Sequence, residues 1–245
     1  MIIGSKITFI KNLPSTNDHL SEMLKREKPP EGLIVITNFQ SAGKGQKGNR
    51  WMSQDGKNLL FSIILYPDTI QPMNQFLISM TVSLGIRDFL TEIIPDCSIK
   101  WPNDIYAGDR KIAGILIENT IKESLVESTV AGIGLNVNQT DFPPDIPNPV
   151  SIKDITGKDH DLNFSLEKLA RKLDKRYKEL LSGASGKIRT DYISSLYRLY
   201  EKCNFQTVGG YLTGQIVSVT KNGYLQVEDQ DNRIHEFSFK EIDFI

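Results

Sequence analysis

Two short apolar runs rich in β-branched residues, LIVITN at 33–38 and LLFSIILY at 59–66, bracket a glycine-rich, basic stretch at 40–56. Runs of this length and make-up predict buried strands. The segment between them must then leave one strand and re-enter another, which commits the region to a sheet. The alternating KITFI at 6–10 predicts a further strand, and Ser15 or Thr16 caps a helix that Pro29 and Pro30 close off. A long helix is predicted over 72–94, where Phe76, Leu77, Met80, Leu84, Phe89 and Ile93 recur at helical spacing before Pro95. Strands follow at 98–101 and 104–107 around a WPN bend, then at 111–119 and 124–138. The proline-rich stretch 139–155 predicts a long loop, and helices are expected at 165–182 and 187–201. After Asn204 the pattern changes to short strands separated by KNG and QDN turns. The expected class is α+β: a mixed sheet with helices packed on it, then a small C-terminal β-barrel.

Charge narrows the function classes. The 29 basic and 30 acidic residues give a net charge of −1, which argues against a protein built mainly to bind nucleic acid. No apolar run reaches the roughly eighteen residues of a membrane span, and the N-terminus lacks the pattern of a secretory signal. His19, His160 and His235 are isolated in sequence, without metal-ligand spacing. Cys97 and Cys203 lie far apart and are expected to be reduced, partly buried thiols.

Five segments carry chemistry. In QSAGKGQKGNRW, 40–51, Gly43, Gly45 and Gly48 free the backbone to approach a ligand. Exposed N–H groups there, with Lys44, Lys47 and Arg50, favour an anion. The P-loop pattern fails because Asn49 and Arg50 follow Gly48 instead of Lys-Ser/Thr. The spacing G-x-G-x-x-G is met, but the dinucleotide motif needs a helix at the loop, and Trp51, Gly56 and an apolar strand come instead. KWPND, 100–104, joins a cation, an amide aimed by Pro102 and the carboxylate of Asp104. An amide can pair with adenine, and a carboxylate can hold magnesium. RKIAGILIE sets Lys111 at a strand start, with Gly114 open to close approach. GIGLNVN at 132–138 offers a second such strand, and STN at 15–17 adds two hydroxyls and an amide at a helix start. Each segment alone also admits a plain structural reading: a solvated loop, a bend with a Lys–Asp pair, a surface lysine, a helix cap.

Taken in order, these segments resemble the biotin protein ligase family, in a form lacking the N-terminal DNA-binding domain. The resemblance spans nearly the whole chain. It implies a class II aminoacyl-tRNA synthetase-like catalytic domain over 1–203 and an SH3-like domain over 204–245. It also implies an AMP-forming ligase. Biotin and ATP, with Mg2+, give biotinyl-5′-AMP, and the acyl group passes to a lysine of a biotin carboxyl carrier protein or domain. The expected setting is the cytoplasm, with no nucleic-acid or membrane partner, and a homodimer is left open. Carried over by residue, Ser15, Thr16, Asn17, Gln40, Gly43, Lys44, Gly45, Gln46, Lys111 and Gly114 match the family's biotin contacts. Lys44, Lys47, Gly48, Asn49, Arg50, Trp51, Asn103 and Asn136 match its ATP and adenylate contacts. Lys111 matches the catalytic lysine that bridges the biotin carboxyl and the α-phosphate, and Asp104 a support for magnesium.

Two rivals stay open at this level: a lipoate or octanoate transferase or ligase of the same fold, and a biotin sensor that does not turn over ATP. The chain also departs from the family's arginine-rich loop pattern, GRGRxGR. Lys44, Gln46 and Asn49 stand at arginine positions, and lysine lacks the bidentate fork while glutamine lacks charge. No arginine lies in the final FKEIDFI, although Lys240 does. Gln46→Arg should slow dissociation of the adenylate, measured by chasing labelled adenylate from the protein. An unchanged rate would mean that position 46 does not face phosphate.

Overall fold

The computed structural model describes all 245 residues except the side chain of Lys47. The first half of the chain supplies β1 (Ile7–Phe9), β2 (Asn12–Leu13), α1 (Thr16–Leu24), β3 (Ile34–Thr37), β4 (Phe39–Gln40), β5 (Leu59–Leu65) and α2 (Phe76–Leu90). Then come β6 (Cys97–Lys100), β7 (Asp104–Ala107), β8 (Arg110–Lys122), β9 (Leu125–Leu135), α3 (Ile152–Thr156), α4 (Leu162–Leu181) and α5 (Ser185–Ile193). The last five strands are β10 (Lys202–Thr207), β11 (Gly210–Val219), β12 (Leu225–Asp229), β13 (Ile234–Phe237) and β14 (Ile242–Phe244).

The main sheet has seven strands in the order β1-β3-β5-β9-β8-β7-β6. It is mixed, as expected: β1 and β3 are parallel and the other pairs antiparallel. All seven residues of β5 are buried, because both faces of the sheet are covered. Leu59, Phe61, Ile63 and Leu65 point into the core shared with α2 and α4. Ile64 points the other way, into a smaller cluster with Leu20, Leu33, Val35 and Val130 beneath α1. A two-sided strand reads as a continuous apolar run rather than an alternating one. Truncating a buried aromatic such as Phe61 would cost about 3–5 kcal/mol.

The helices differ from expectation in instructive ways. α2 begins only at Phe76, after a separate 3-10 turn over Pro72–Asn74. Within the predicted loop at 139–155, Ser151 and Asp154 form a reciprocal capping box that starts α3. α5 stops at Ile193, well before the predicted 201. The chain there turns to pair with β6: Ile99 N–H donates to Ser195 O at 2.8 Å and Tyr197 N–H to Ile99 O at 2.9 Å. Both cysteines are free and buried, and burial pushes the Cys97 thiol up to about 12. Among the described residues no helix is long and apolar enough to cross a membrane.

The C-terminal strands form one antiparallel sheet in the order β13-β12-β11-β10-β14. The expected barrel is therefore corrected to an open five-stranded sheet. Its missing closure comes from the rest of the molecule. Trp101 meets Phe239 edge-on, and Tyr197 meets Phe244. The Trp101 indole N–H donates to Gly223 O at 2.9 Å, and Phe205, Ile216, Leu225 and Val227 belong to the same core as α2. Each such burial is worth about 1.5–3 kcal/mol. A chain cut after residue 203 is expected to melt more than about 10 °C below the full chain, read by circular dichroism. An unchanged melting temperature would make the C-terminal sheet an independent appendage.

Candidate active site

The site lies on the α1 face of the main sheet. Register places Leu60, Gly134, Gly114 and Asp104 side by side across β5, β9, β8 and β7, and Ser62, Gly132 and Leu116 side by side one step along. Three positions of this face are thus glycines, so the sheet offers a floor without side chains. A Cβ on Gly134 would lie 2.3 Å from the Trp51 ring and one on Gly114 2.8 Å from it, while a Cβ on Gly132 would lie 2.2 Å from Asn17 Oδ1. The close approach anticipated for a ligand at Gly114 is made by the protein's own indole. Above this floor is a cavity of about 610 Å³.

A β-bulge aims the principal cation. Between β7 and β8 the register jumps from Ile105–Ala113 to Tyr106–Lys111, leaving Ile112 as the extra residue. Ile112 is fully buried in the core. Without the bulge, strict alternation would send Lys111 to the face opposite Gly114 and Asp104. With it, Lys111 Nζ reaches Asp104 Oδ2 at 2.7 Å and lies 5.6 Å from the Trp51 ring centroid, within cation–π range. Strand pairing with the 148–150 segment steadies the backbone: Lys111 N–H donates to Asn148 O at 2.7 Å and Val150 N–H to Lys111 O at 3.0 Å. Asp104 Oδ1 and Trp51 Nε1 are buried without a hydrogen-bond partner, which is costly unless a ligand satisfies them.

The glycine-rich loop folds back on itself. Lys44 and Arg50 form an antiparallel bridge, Trp51 N–H donates to Gly43 O at 3.0 Å, and Gly45 N–H to Asn49 O at 2.7 Å. Lys44 pairs with Asp18. That hydrogen bond raises the ammonium above its ordinary range, with burial opposing it and the nearby Asp18 and Glu118 charges adding to it. At the far end Ser15 is the N-cap of α1, accepting from Asp18 N–H at 3.3 Å. The cap reading and a position in the cavity wall hold together for this residue.

The structure brings Ser15, Thr16, Asn17, Gln40, Lys44, Gly45, Gln46, Asn49, Arg50, Trp51, Asn103, Asp104, Lys111 and Gly114 to this one cavity. It does not bring every expected residue there. Asn136 is buried just past the end of β9, its backbone N–H donating to Ile112 O at 2.9 Å and its side-chain amide to Val150 O at 3.1 Å. Gly43 and Gly48 are not in the wall, and the Lys47 side chain lies outside the described residues. Asn103 is in the wall, but its amide N–H is engaged by Ile115 O at 2.6 Å. Tyr106 and Phe244, which no sequence motif singles out, also line the cavity, as do Lys100, the cation of KWPND, and Lys240, the lysine of the final segment that lacks an arginine. Lys100 donates to Tyr106 Oη at 3.0 Å. Nothing local in the sequence marks Tyr106 or Phe244 for the site. Among the described residues, no cluster of three or more His, Cys, Asp or Glu could hold a metal by itself.

With this geometry in view, the family is plain. The chain belongs to the biotin/lipoate A/B protein ligase family, whose model matches residues 9–136. It is 30% identical over 236 residues to the bifunctional ligase/repressor BirA of Bacillus spizizenii, covering 94% of this chain and 71% of that protein. It is 26% identical over 200 residues to the biotin--[acetyl-CoA-carboxylase] ligase of Mycobacterium tuberculosis, covering 80% and 73%. The biotin protein ligase of Aquifex aeolicus, solved in complex with biotin and ATP, superposes with a TM-score of 0.81 at 26% identity, covering 98% of this chain and 99% of that one.

Gly134→Ala must displace the indole seated on it, lowering stability by about 1–3 kcal/mol in denaturant unfolding. Adding Trp51→Ala should remove most of that loss, and additive losses in the double variant would mean the indole is not seated there.

Proposed function

We propose that this chain is an ATP-dependent biotin protein ligase that forms biotinyl-5′-AMP and transfers biotin to a lysine of a carboxyl carrier protein or domain. The observation that carries the reading is a single cavity lined by Lys111, Asp104, loop residues 44–46 and 49–51, and the Thr16–Asn17–Gln40 cluster. It sits in a fold that matches a ligase solved with both substrates over 98% of this chain. We assign residues 1–203 to catalysis and 204–245 to closing the cavity, through the wall residues Lys240 and Phe244.

The chemistry follows from charge. A carboxylate is a poor electrophile, so the biotin carboxylate oxygen attacks the α-phosphorus of ATP, and the bond to the bridging oxygen of pyrophosphate breaks. Two anions must approach each other for this step, and preorganised cations lower the barrier. Lys111 is the group held between the two, with Lys44, Arg50 and the loop N–H groups beside it. The acceptor amine then attacks the acyl carbon of the mixed anhydride, AMP leaves, and the amine's proton is lost to give the amide. Asp104, with its unpartnered Oδ1, suits the pattern in which magnesium takes one or two protein carboxylates and otherwise binds substrate phosphates. Magnesium bound there would spread phosphate charge. Two buried free thiols are compatible with a reducing, cytoplasmic setting.

The purified protein is expected to catalyse ATP–pyrophosphate exchange with biotin and not with lipoate, and Lys111→Ala to lower that rate by about 100-fold or more. Exchange with lipoate alone would reassign the substrate. Normal exchange by the Lys111→Ala variant would remove the lysine from the chemistry.

A further inference from the structure

Ser62 is the single polar residue in the buried strand β5, fully buried on the α1 face. Its hydroxyl touches two groups of the cavity wall, Thr16 Oγ1 at 2.6 Å and Asn17 Oδ1 at 2.5 Å. Asn17 in turn points its amide nitrogen at Glu118 Oε2, 2.7 Å away, and at Leu116 O, 3.4 Å away. Thr16 N–H donates to Gln40 Oε1 at 2.7 Å. All of Ser62, Thr16 and Asn17 are buried, whereas Glu118 is exposed.

Counting protons gives this chain a direction. The Glu118 carboxylate and the Leu116 carbonyl both accept, so the Asn17 nitrogen must face them and Oδ1 must face Ser62. The one proton of Ser62 therefore goes to Asn17 Oδ1. The hydroxyls of Ser62 and Thr16, 2.6 Å apart, need a proton between them, and only Thr16 has one left to give. Thr16 Oγ1 also lies 3.1 Å from Gln40 Oε1, but the shorter contact has the stronger claim. With its proton spent, Thr16 Oγ1 can only accept from a ligand. Gln40, whose oxygen is held by the Thr16 backbone, keeps its Nε2 donors, which make no hydrogen bond among the described residues.

We infer that Ser62 and Glu118 are positioning residues that set the donor–acceptor polarity of the head-group site, through a one-way relay Thr16→Ser62→Asn17→Glu118. The relay leaves an acceptor at Thr16 beside a donor at Gln40, which matches the N–H and C=O of a neutral cyclic urea. A dithiolane ring offers neither group. The inference rests on the biotin reading and adds to it the residues that select for ring N–H.

The test is steady-state ATP–pyrophosphate exchange with the full chain, comparing biotin with analogues methylated at a ureido nitrogen. Ser62→Ala and Glu118→Ala should each raise the KM for biotin about tenfold or more, with the KM for ATP within about twofold of the parent. Glu118→Gln keeps an oxygen that can accept from Asn17, and should recover most of the loss. The penalty for ureido methylation, large in the parent chain, should shrink in Ser62→Ala. Glu118 is exposed, so its variants keep the test open if Ser62→Ala folds poorly, and melting temperatures identify that case. Equal rises in both KM values, or an unchanged KM for biotin in the Glu118 variants, would overturn the relay. A parent chain that exchanges with lipoate alone would instead overturn the biotin reading itself.

Discussion

The burial of β5 on both faces is the constraint from which the site follows. One face supports the hydrophobic core with α2 and α4, and the other lies under α1 and the cavity. A strand so enclosed cannot tolerate an unpartnered polar group, because leaving one buried costs about 1–3 kcal/mol. The hydroxyl of Ser62 is therefore tied to the Thr16 and Asn17 side chains at the start of α1. That tie fixes where the helix begins relative to the sheet. The same strand sets the register of β9 and so delivers Gly132 and Gly134 to the cavity floor.

The second constraint is local. Ile112 is held in the core as an extra residue, and the backbone must bulge to keep it there. The bulge is what turns Lys111 to the cavity side, so apolar packing of a neighbour determines the direction of this cation. The flexible ammonium stem then needs only the Asp104 carboxylate and the Trp51 face to hold it. Stability and function meet here in adjacent residues.

Much of this was legible in sequence because it depends on local chemistry. The two apolar runs, the caps at Ser15, the strand at Lys111 and the glycine-rich loop all carry their signals within a few residues. The capping box Ser151–Asp154 was equally local, yet the surrounding prolines masked it. What was not legible depends on distant partners. The early end of α5 follows from the pull of β6 at Ile99. The resemblance offers Asn136 as an adenylate contact, while in the structure its amide donates to Val150 O from the loop beyond it. In the sequence Ser62 is only part of an apolar run, since its contacts with Thr16 and Asn17 form only once α1 lies across β5. The open C-terminal sheet could not be told from a barrel, because its closing contacts come from Trp101 and Tyr197.

Electrostatics gives the last step. Lys111 and Lys44 each hold a carboxylate, Asp104 and Asp18 respectively. These cations are thus placed without leaving bare charge in a partly desolvated cavity, where an unpaired ion is expensive. An anionic ligand meets them by exchanging one anion for another, so its binding energy is a difference between two pairings. That difference is modest with a single exposed lysine and grows where several donors act at once. A loop carrying Gln46 and Asn49 where the family pattern has arginines supplies fewer charged donors to this exchange. Under the proposed function, the backbone N–H groups and Arg50 would then contribute more of the anion's stabilisation than they would in an arginine-rich loop.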